Sequence, residues 1–191
     1  YQNGVLVGQA GALVEDTNKS VSLDGSNDEI TMGDPASGSL DFGIGDFTVE
    51  AWVRAFANND RVIVSKRGVS GAYWQVAVTD DSGQIGRVRA NVFDGAVTST
   101  AYGPAIRIDN GAWHHIVVAF DRDTGITVWV DGVGQTTAGA FIGSVSNAAS
   151  FLVGKSSFDP YLMAVVDEVA VYPSVLSAAR VTAHRNAGAG L

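Results

Sequence analysis

The chain has no cysteine, 2 methionines and 4 prolines in 191 residues, and charged side chains make up only 17% of it. Without thiols there is no disulfide framework, no thiolate metal site and no cysteine nucleophile. Lysine and arginine total 12 against 20 Asp and Glu, a net charge of −8, so no basic surface is available to neutralise phosphates and the composition argues against a nucleic-acid partner. Long apolar runs are also missing. Stretches such as Ile116 to Phe120 are strand-length, which leaves no helix able to cross a membrane and argues against a membrane partner. Tyr1 is followed by no charged-then-apolar leader, which reads as a processed product or a piece of a longer polypeptide.

What is plentiful is glycine, at 23 residues, and apolar side chains, at 46%. That combination suits many short strands joined by tight turns, and the length suits one domain spanning residues 1–191. Asp-Gly and Asn-Gly pairs, in which both residues tolerate positive φ, mark turns at Asp24-Gly25, Asp94-Gly95, Asn110-Gly111 and Asp131-Gly132. Between them, Phe47 to Arg54 alternates strictly, with Phe47, Val49, Ala51 and Val53 on one face and Thr48, Glu50, Trp52 and Arg54 on the other. Arg87 to Phe93 repeats the pattern. Trp113 to Asp121 and Ile126 to Val130 read as a hairpin, and Leu162 to Tyr172 as a long late strand. Shorter runs at Ser20–Leu23, Glu29–Met32, Arg61–Ser65, Tyr73–Val78, Val97–Tyr102 and Leu152–Gly154 bring the predicted strands to eleven. Ser177 is a natural N-cap for one short helix over Ala178 to Arg185, with Gly188 as its stop.

Four segments, in this order, resemble the laminin-G-like jelly-roll family of the concanavalin-A-like lectin/glucanase superfamily. They are Val21 to Ile30, similar to "F-D-G-S-x-D-Y-V"; Phe47 to Val53, similar to "F-T-x-x-A-W-V"; Trp113 to Val118 with Val128 to Gly132, similar to "W-H-H-V-A-V … Y-V-D-G"; and Asp167 to Tyr172 with Leu176 to Ala179, similar to "D-E-V-x-V-Y … L-S-x-x". The resemblance implies a two-sheet antiparallel jelly-roll sandwich with one short C-terminal helix. It also implies a non-catalytic module of a secreted enzyme or virion protein, outside the cell, that binds a glycan or cell-surface polysaccharide. A second reading is a structural domain that decorates an assembly such as a phage tail or capsid. The family's early edge strand has no counterpart in the sequence, and on this reading a neighbouring chain supplies it. A glycoside hydrolase or lyase is the third reading.

The carboxylates argue against catalysis. Retaining glycosidases need two carboxyl groups about 5 Å apart, whereas Glu50 stands alone on its strand and Glu168 adjoins Asp167, whose side chain on a regular strand points the other way. His114 and His115, adjacent on a strand, should face opposite sides, one packed in the sandwich and one in solvent. Asp24, Asn27 and Asp28 crowd oxygen atoms into one turn, and family topology brings Asp167 on the late strand near them, which suggests a structural calcium ion bridging the two segments. The alternative is an ordinary Asx turn. For a glycan, the candidate surface is the outward row Arg87, Arg89, Asn91 and Phe93 with Tyr73, Trp74 and Tyr102 from neighbouring strands, aromatic faces for sugar rings beside planar polar groups for hydroxyls. Trp113, which opens the most family-like strand, is expected in the core.

Overall fold

The computed structural model describes residues 1–56 and 60–191. The strands, in chain order, are β1 (Leu6–Ala10), β2 (Lys19–Asp24), β3 (Ile30–Gly33), β4 (Phe47–Ala55), β5 (Arg61–Lys66), β6 (Tyr73–Val78) and β7 (Val88–Phe93), then β8 (Thr98–Tyr102), β9 (His114–Asp121), β10 (Gly125–Val130), β11 (Val133–Ala138), β12 (Phe151–Val153) and β13 (Met163–Tyr172). One helix, α1 (Ala178–Ala189), follows. A seven-stranded sheet runs β1-β2-β13-β4-β9-β10-β11 and a six-stranded sheet runs β3-β12-β5-β6-β7-β8, antiparallel throughout. This is the two-sheet jelly-roll sandwich.

The period-2 pattern fills the space between the sheets. Val49, Ala51 and Val53 of β4 face Val76 and Val78 of β6 and Val88, Ala90 and Val92 of β7 in one continuous core. Aromatic rings form its centre. Phe47 stacks on Phe42 and on Phe120, each at 4.4 Å between centroids, and Trp74 meets Phe47 at 5.4 Å in a tilted pair. The Asp131-Gly132 pair closes the β10–β11 hairpin with φ of 52° and 81°, the two positive values that a mirror-image two-residue turn requires.

Several expectations fail for identifiable reasons. The early edge strand is present: β1 pairs with β2, with a register irregularity between Val7 and Gln9, so no neighbouring chain is needed to supply it. It escapes the sequence pattern because Leu6, Val7 and Ala10 are exposed and no residue alternation marks a buried face. Strand β11 is missed for the same reason, being exposed along its whole length. Trp113 lies just before β9 and is only half-buried, so it is not a core residue. Both His114 and His115 are buried, at 7% and 0% exposure. The helix continues past Gly188 to a left-handed cap at Gly190.

Candidate functional site

Strand β9 carries apolar residues on both faces, Ile116, Val118 and Phe120 inward and Val117 outward, the mark of a strand covered on both sides. The outer cover is α1. Ser177 caps it by accepting from Arg180 N at 3.3 Å, and Val181 and Leu176 pack on Val117 beside Trp129 and Tyr172. At its far end Gly188 fits against Trp52: a Cβ there would lie 2.6 Å from Trp52 Cζ2 and 2.8 Å from Leu13 Cδ2. Between α1, the 11–18 segment, β4 and β13 is a cavity of about 550 Å³ whose lining includes Asp16, Glu50, Trp52, Glu168, Tyr172 and His184.

Glu50 forms the floor. Its Oε1 meets His115 Nε2 at 2.7 Å, its Oε2 accepts from Tyr172 OH at 2.7 Å, and His184 Nδ1 lies 3.1 and 3.0 Å from the two oxygens. Burial alone would raise the Glu50 carboxyl. The hydrogen bonds from His115, Tyr172 and His184 outweigh it and hold the group down at about 2. Burial and the same carboxylate push Tyr172 up to about 12. His184 therefore stands against a fixed anion through Nδ1, while its Nε2 makes no hydrogen bond among the described residues.

A bulge in β13 completes the rim. Asp167 pairs with Trp52 and Ala170 with Glu50, so Glu168 and Val169 together oppose the single residue Ala51 and β13 carries one extra residue there. Glu168 sits in the bulge at φ 48°, a left-handed conformation that non-glycine residues rarely adopt. In consequence Asp167 and Glu168 both turn to the 11–18 segment: Asp167 Oδ2 accepts from Ala12 N at 2.8 Å, and Glu168 Oε1 accepts from Asn18 Nδ2. The expectation that these neighbours point to opposite faces is corrected by the bulge, and Glu50 and Glu168 line one cavity.

The expected calcium ligands do not converge. Asp24 pairs with Met163, four residues before Asp167, which at about 3.3 Å per residue puts the two acids about 13 Å apart, beyond the reach of one ion. The turn itself is built as Asx chemistry: Asp24 Oδ1 accepts from Ser26 N at 2.8 Å and Asn27 N at 3.4 Å, and Asp28 Oδ2 accepts from Asp24 N at 3.0 Å. Asp28 is buried, and its Oδ1 has no partner among the described residues.

The expected sugar face on the six-stranded sheet is dispersed. Trp74 points inward and is fully buried, because alternation along β6 sends Tyr73 and Trp74 to opposite sides. Asn91 is nearly buried and donates to Thr100 Oγ1 at 2.7 Å. Arg89 is held by both oxygens of Asp60 at 2.8 Å and by Asp81, which also accepts from Tyr102 OH. Arg87, just before β7, turns to the sheet edges and bonds Pro104 O, Gly103 O and Gln135. Tyr73 and Phe93 remain together, half-exposed, with centroids 5.8 Å apart.

A family model described as the concanavalin A-like lectin/glucanases superfamily matches residues 24–182. The chain belongs to that superfamily. Among solved structures, the binding domain of Paraclostridial Mosquitocidal Protein 1 superposes with a TM-score of 0.74 at 16% identity, covering 96% of this chain and 45% of that one. Domain 4 of AbnA, a GH43 extracellular arabinanase from Geobacillus stearothermophilus, in complex with arabinotriose, gives 0.70 at 18% identity, covering 95% and 81%. A heptameric SAP-like pentraxin from Limulus polyphemus gives 0.60 at 15%, covering 85% and 79%. This chain thus spans a little under half the length of the toxin binding domain, and more of the arabinanase domain and the pentraxin. No curated protein matches it.

The superfamily's description names both lectins and glucanases, and Glu50 is not arranged as a general acid or a nucleophile. A carboxyl held at about 2 is ionised at neutral pH and cannot donate a proton, and its lone pairs are engaged by two histidines and a tyrosine, which makes it a poor nucleophile. Glu50 is suited to holding His184 in place. What distinguishes this cavity was hidden in sequence because Glu50 meets Tyr172 and His184 across 122 and 134 residues. The one available signal is the double-sided apolar pattern of β9, which calls for a covering helix.

Proposed function

We propose that the chain is a non-catalytic saccharide-binding module, acting outside the cell as part of a secreted enzyme or a virion, and that its ligand enters the cavity beneath α1. The observation that carries this reading is the Glu50-anchored His184, with Nε2 free of hydrogen bonds among the described residues beside a cavity of about 550 Å³, a volume within the usual range for small ligands. Trp52 and Tyr172 supply ring surface, and Glu168, Asp16 and Thr17 supply acceptors and a hydroxyl for sugar hydroxyl groups. The arabinotriose complex of the arabinanase domain and the binding-domain descriptions of the toxin neighbours support the same reading by analogy of fold. Arabinotriose and a glycan array are the probes, read by calorimetry. Binding should weaken at least tenfold in Glu168→Ala and in His184→Ala while the circular dichroism spectrum is unchanged. Binding that both variants leave intact would place the ligand elsewhere and overturn the assignment.

One observation favours a second reading, an interaction domain in an assembly: Leu6 and Val7 are 61% and 57% exposed on the edge strand β1, whose outer hydrogen-bonding groups are open to another chain. Light scattering at rising protein concentration tests it, and a monomer throughout removes it for self-association.

A further inference from the structure

The six-stranded sheet has a cavity of its own, of about 310 Å³, whose lining includes Arg67, Ser150, Leu152, Lys155, Ser156 and Ser157. It lies on the opposite sheet from α1 and shares no lining residue with the larger cavity. Arg67, the residue after β5, is held on three sides. Its guanidinium carbon lies 4.4 Å from the Tyr73 ring centroid and 4.9 Å from that of Phe158, which covers the plane with two rings, and Nη1 donates to Gln75 Oε1 at 2.8 Å with Asp159 at 3.6 Å. Nε and Nη2 donate to nothing among the described residues. Those two N–H groups form the parallel fork that grips a carboxylate or sulfate in two hydrogen bonds. Their orientation is already fixed by stacking, so little side-chain freedom is lost when an anion arrives.

Lys155 provides a second positive charge in the same cavity, carried above the Tyr161 ring at 4.3 Å and bonded to Tyr161 OH at 2.8 Å, with Glu29 at 3.4 Å. Ser156 Oγ is already engaged, donating to Asp159 Oδ2 and accepting from Phe158 N and Asp159 N, whereas Ser157 donates to Arg67 O and keeps its oxygen able to accept. Glu29 and Asp159 each pair with one of the two cations, so the pull on an anion comes from the pre-oriented Nε and Nη2 of Arg67, with the Ser157 hydroxyl beside them for a ligand hydroxyl. We propose that this second cavity binds the carboxylate of an acidic saccharide, a uronic acid unit, with Arg67 as the bidentate partner and Lys155 as the second charge. The saccharide half of this assignment rests on the proposed function, while the carboxylate half rests on Arg67 alone.

The test is calorimetric titration of the purified chain with sodium glucuronate, glucuronate methyl ester, acetate and arabinotriose. Glucuronate should bind saturably, the ester at least tenfold more weakly because its carboxyl is neutral, and acetate more weakly because it lacks the hydroxyls. Arg67→Lys keeps the charge but has neither fork nor planar stack, and should weaken glucuronate at least tenfold while leaving arabinotriose binding unchanged. The ester comparison needs only the parent protein and stands if the variant fails to fold. No saturable glucuronate binding, an ester that binds as well as the acid, acetate that binds as well as glucuronate, or an Arg67→Lys variant of parental glucuronate affinity would each overturn the proposal. Loss of arabinotriose binding alone would instead bear on the cavity beneath α1.

Discussion

Replacing Glu50 with glutamine separates the charge of the buried carboxylate from its shape, and the effect should depend on pH in a defined window. The ordinary value of the group is 4.5, and in the folded chain it is about 2. A carboxylate depressed on folding stabilises the protein fully above its unfolded value, and that stabilisation is lost as pH falls through the folded one. For Glu50 the window runs from about pH 4.5 down to about pH 2. At about 1.36 kcal/mol per pH unit the gap is worth about 3 kcal/mol. Glu50 is only 6% exposed, so solvent screening reduces this little. At pH 7 Glu50→Gln should therefore cost about 3 kcal/mol, in line with removing one charge from a buried network, since the amide turns a donor toward His115, His184 and Tyr172. Urea denaturation of parent and variant at pH 7, 5, 4 and 3 is the measurement. The difference should shrink as the pH falls below 4.5. Asp94 and other depressed acids titrate in both proteins and cancel in the difference. A difference that is constant down to pH 3, or smaller than about 1 kcal/mol at pH 7, would refute the account of Glu50 as an anchored anion.

Two tryptophans should behave in opposite ways: Trp74→Ala, in the centre of the core, should cost about 3–5 kcal/mol, whereas Trp113→Ala, half-buried ahead of β9, should cost about 1 kcal/mol, both read by chemical denaturation. Equal losses would show that the core assignment is wrong. Calcium held by the Asp24–Asp28 turn through the unpartnered Asp28 Oδ1 would raise the melting temperature in millimolar calcium over chelator, and Asp28→Asn should abolish that rise while Asp167→Asn leaves it intact. Superimposed curves for the parent protein dispose of the ion.

Phe47 to Val53 and Val88 to Val92 were legible in sequence because the core-facing side writes an apolar period of two into the residues, but that period did not reveal that the other side of β4, with Thr48, Glu50 and Trp52, is buried as well. Strands β1 and β11 were not legible, since a strand without a buried side leaves no period to read. The row of candidate sugar contacts failed for a different reason. Alternation assigns a side chain to a face but says nothing of its partners, and Arg87 and Arg89 are already engaged by carbonyls and carboxylates from other loops. Glu168 was misread because a bulge breaks the rule on which the facing assignment rested, and nothing in Val165 to Val171 announces one. Arg67 was not singled out at all: its role depends on Phe158, ninety-one residues away in the chain.

The absence of cysteine leaves the molecule free to take one thiol at a chosen place. Gly188 lines one cavity and Gln2 lines the other, so a tag joined at residue 1 or residue 191 lies near a proposed binding site. Immobilising the protein by such a tag would shade the surface under study. A single Ser82→Cys substitution, in the exposed turn between β6 and β7, would give one addressable thiol in a molecule that otherwise has none, and would hold the module to a sensor surface with both cavities open.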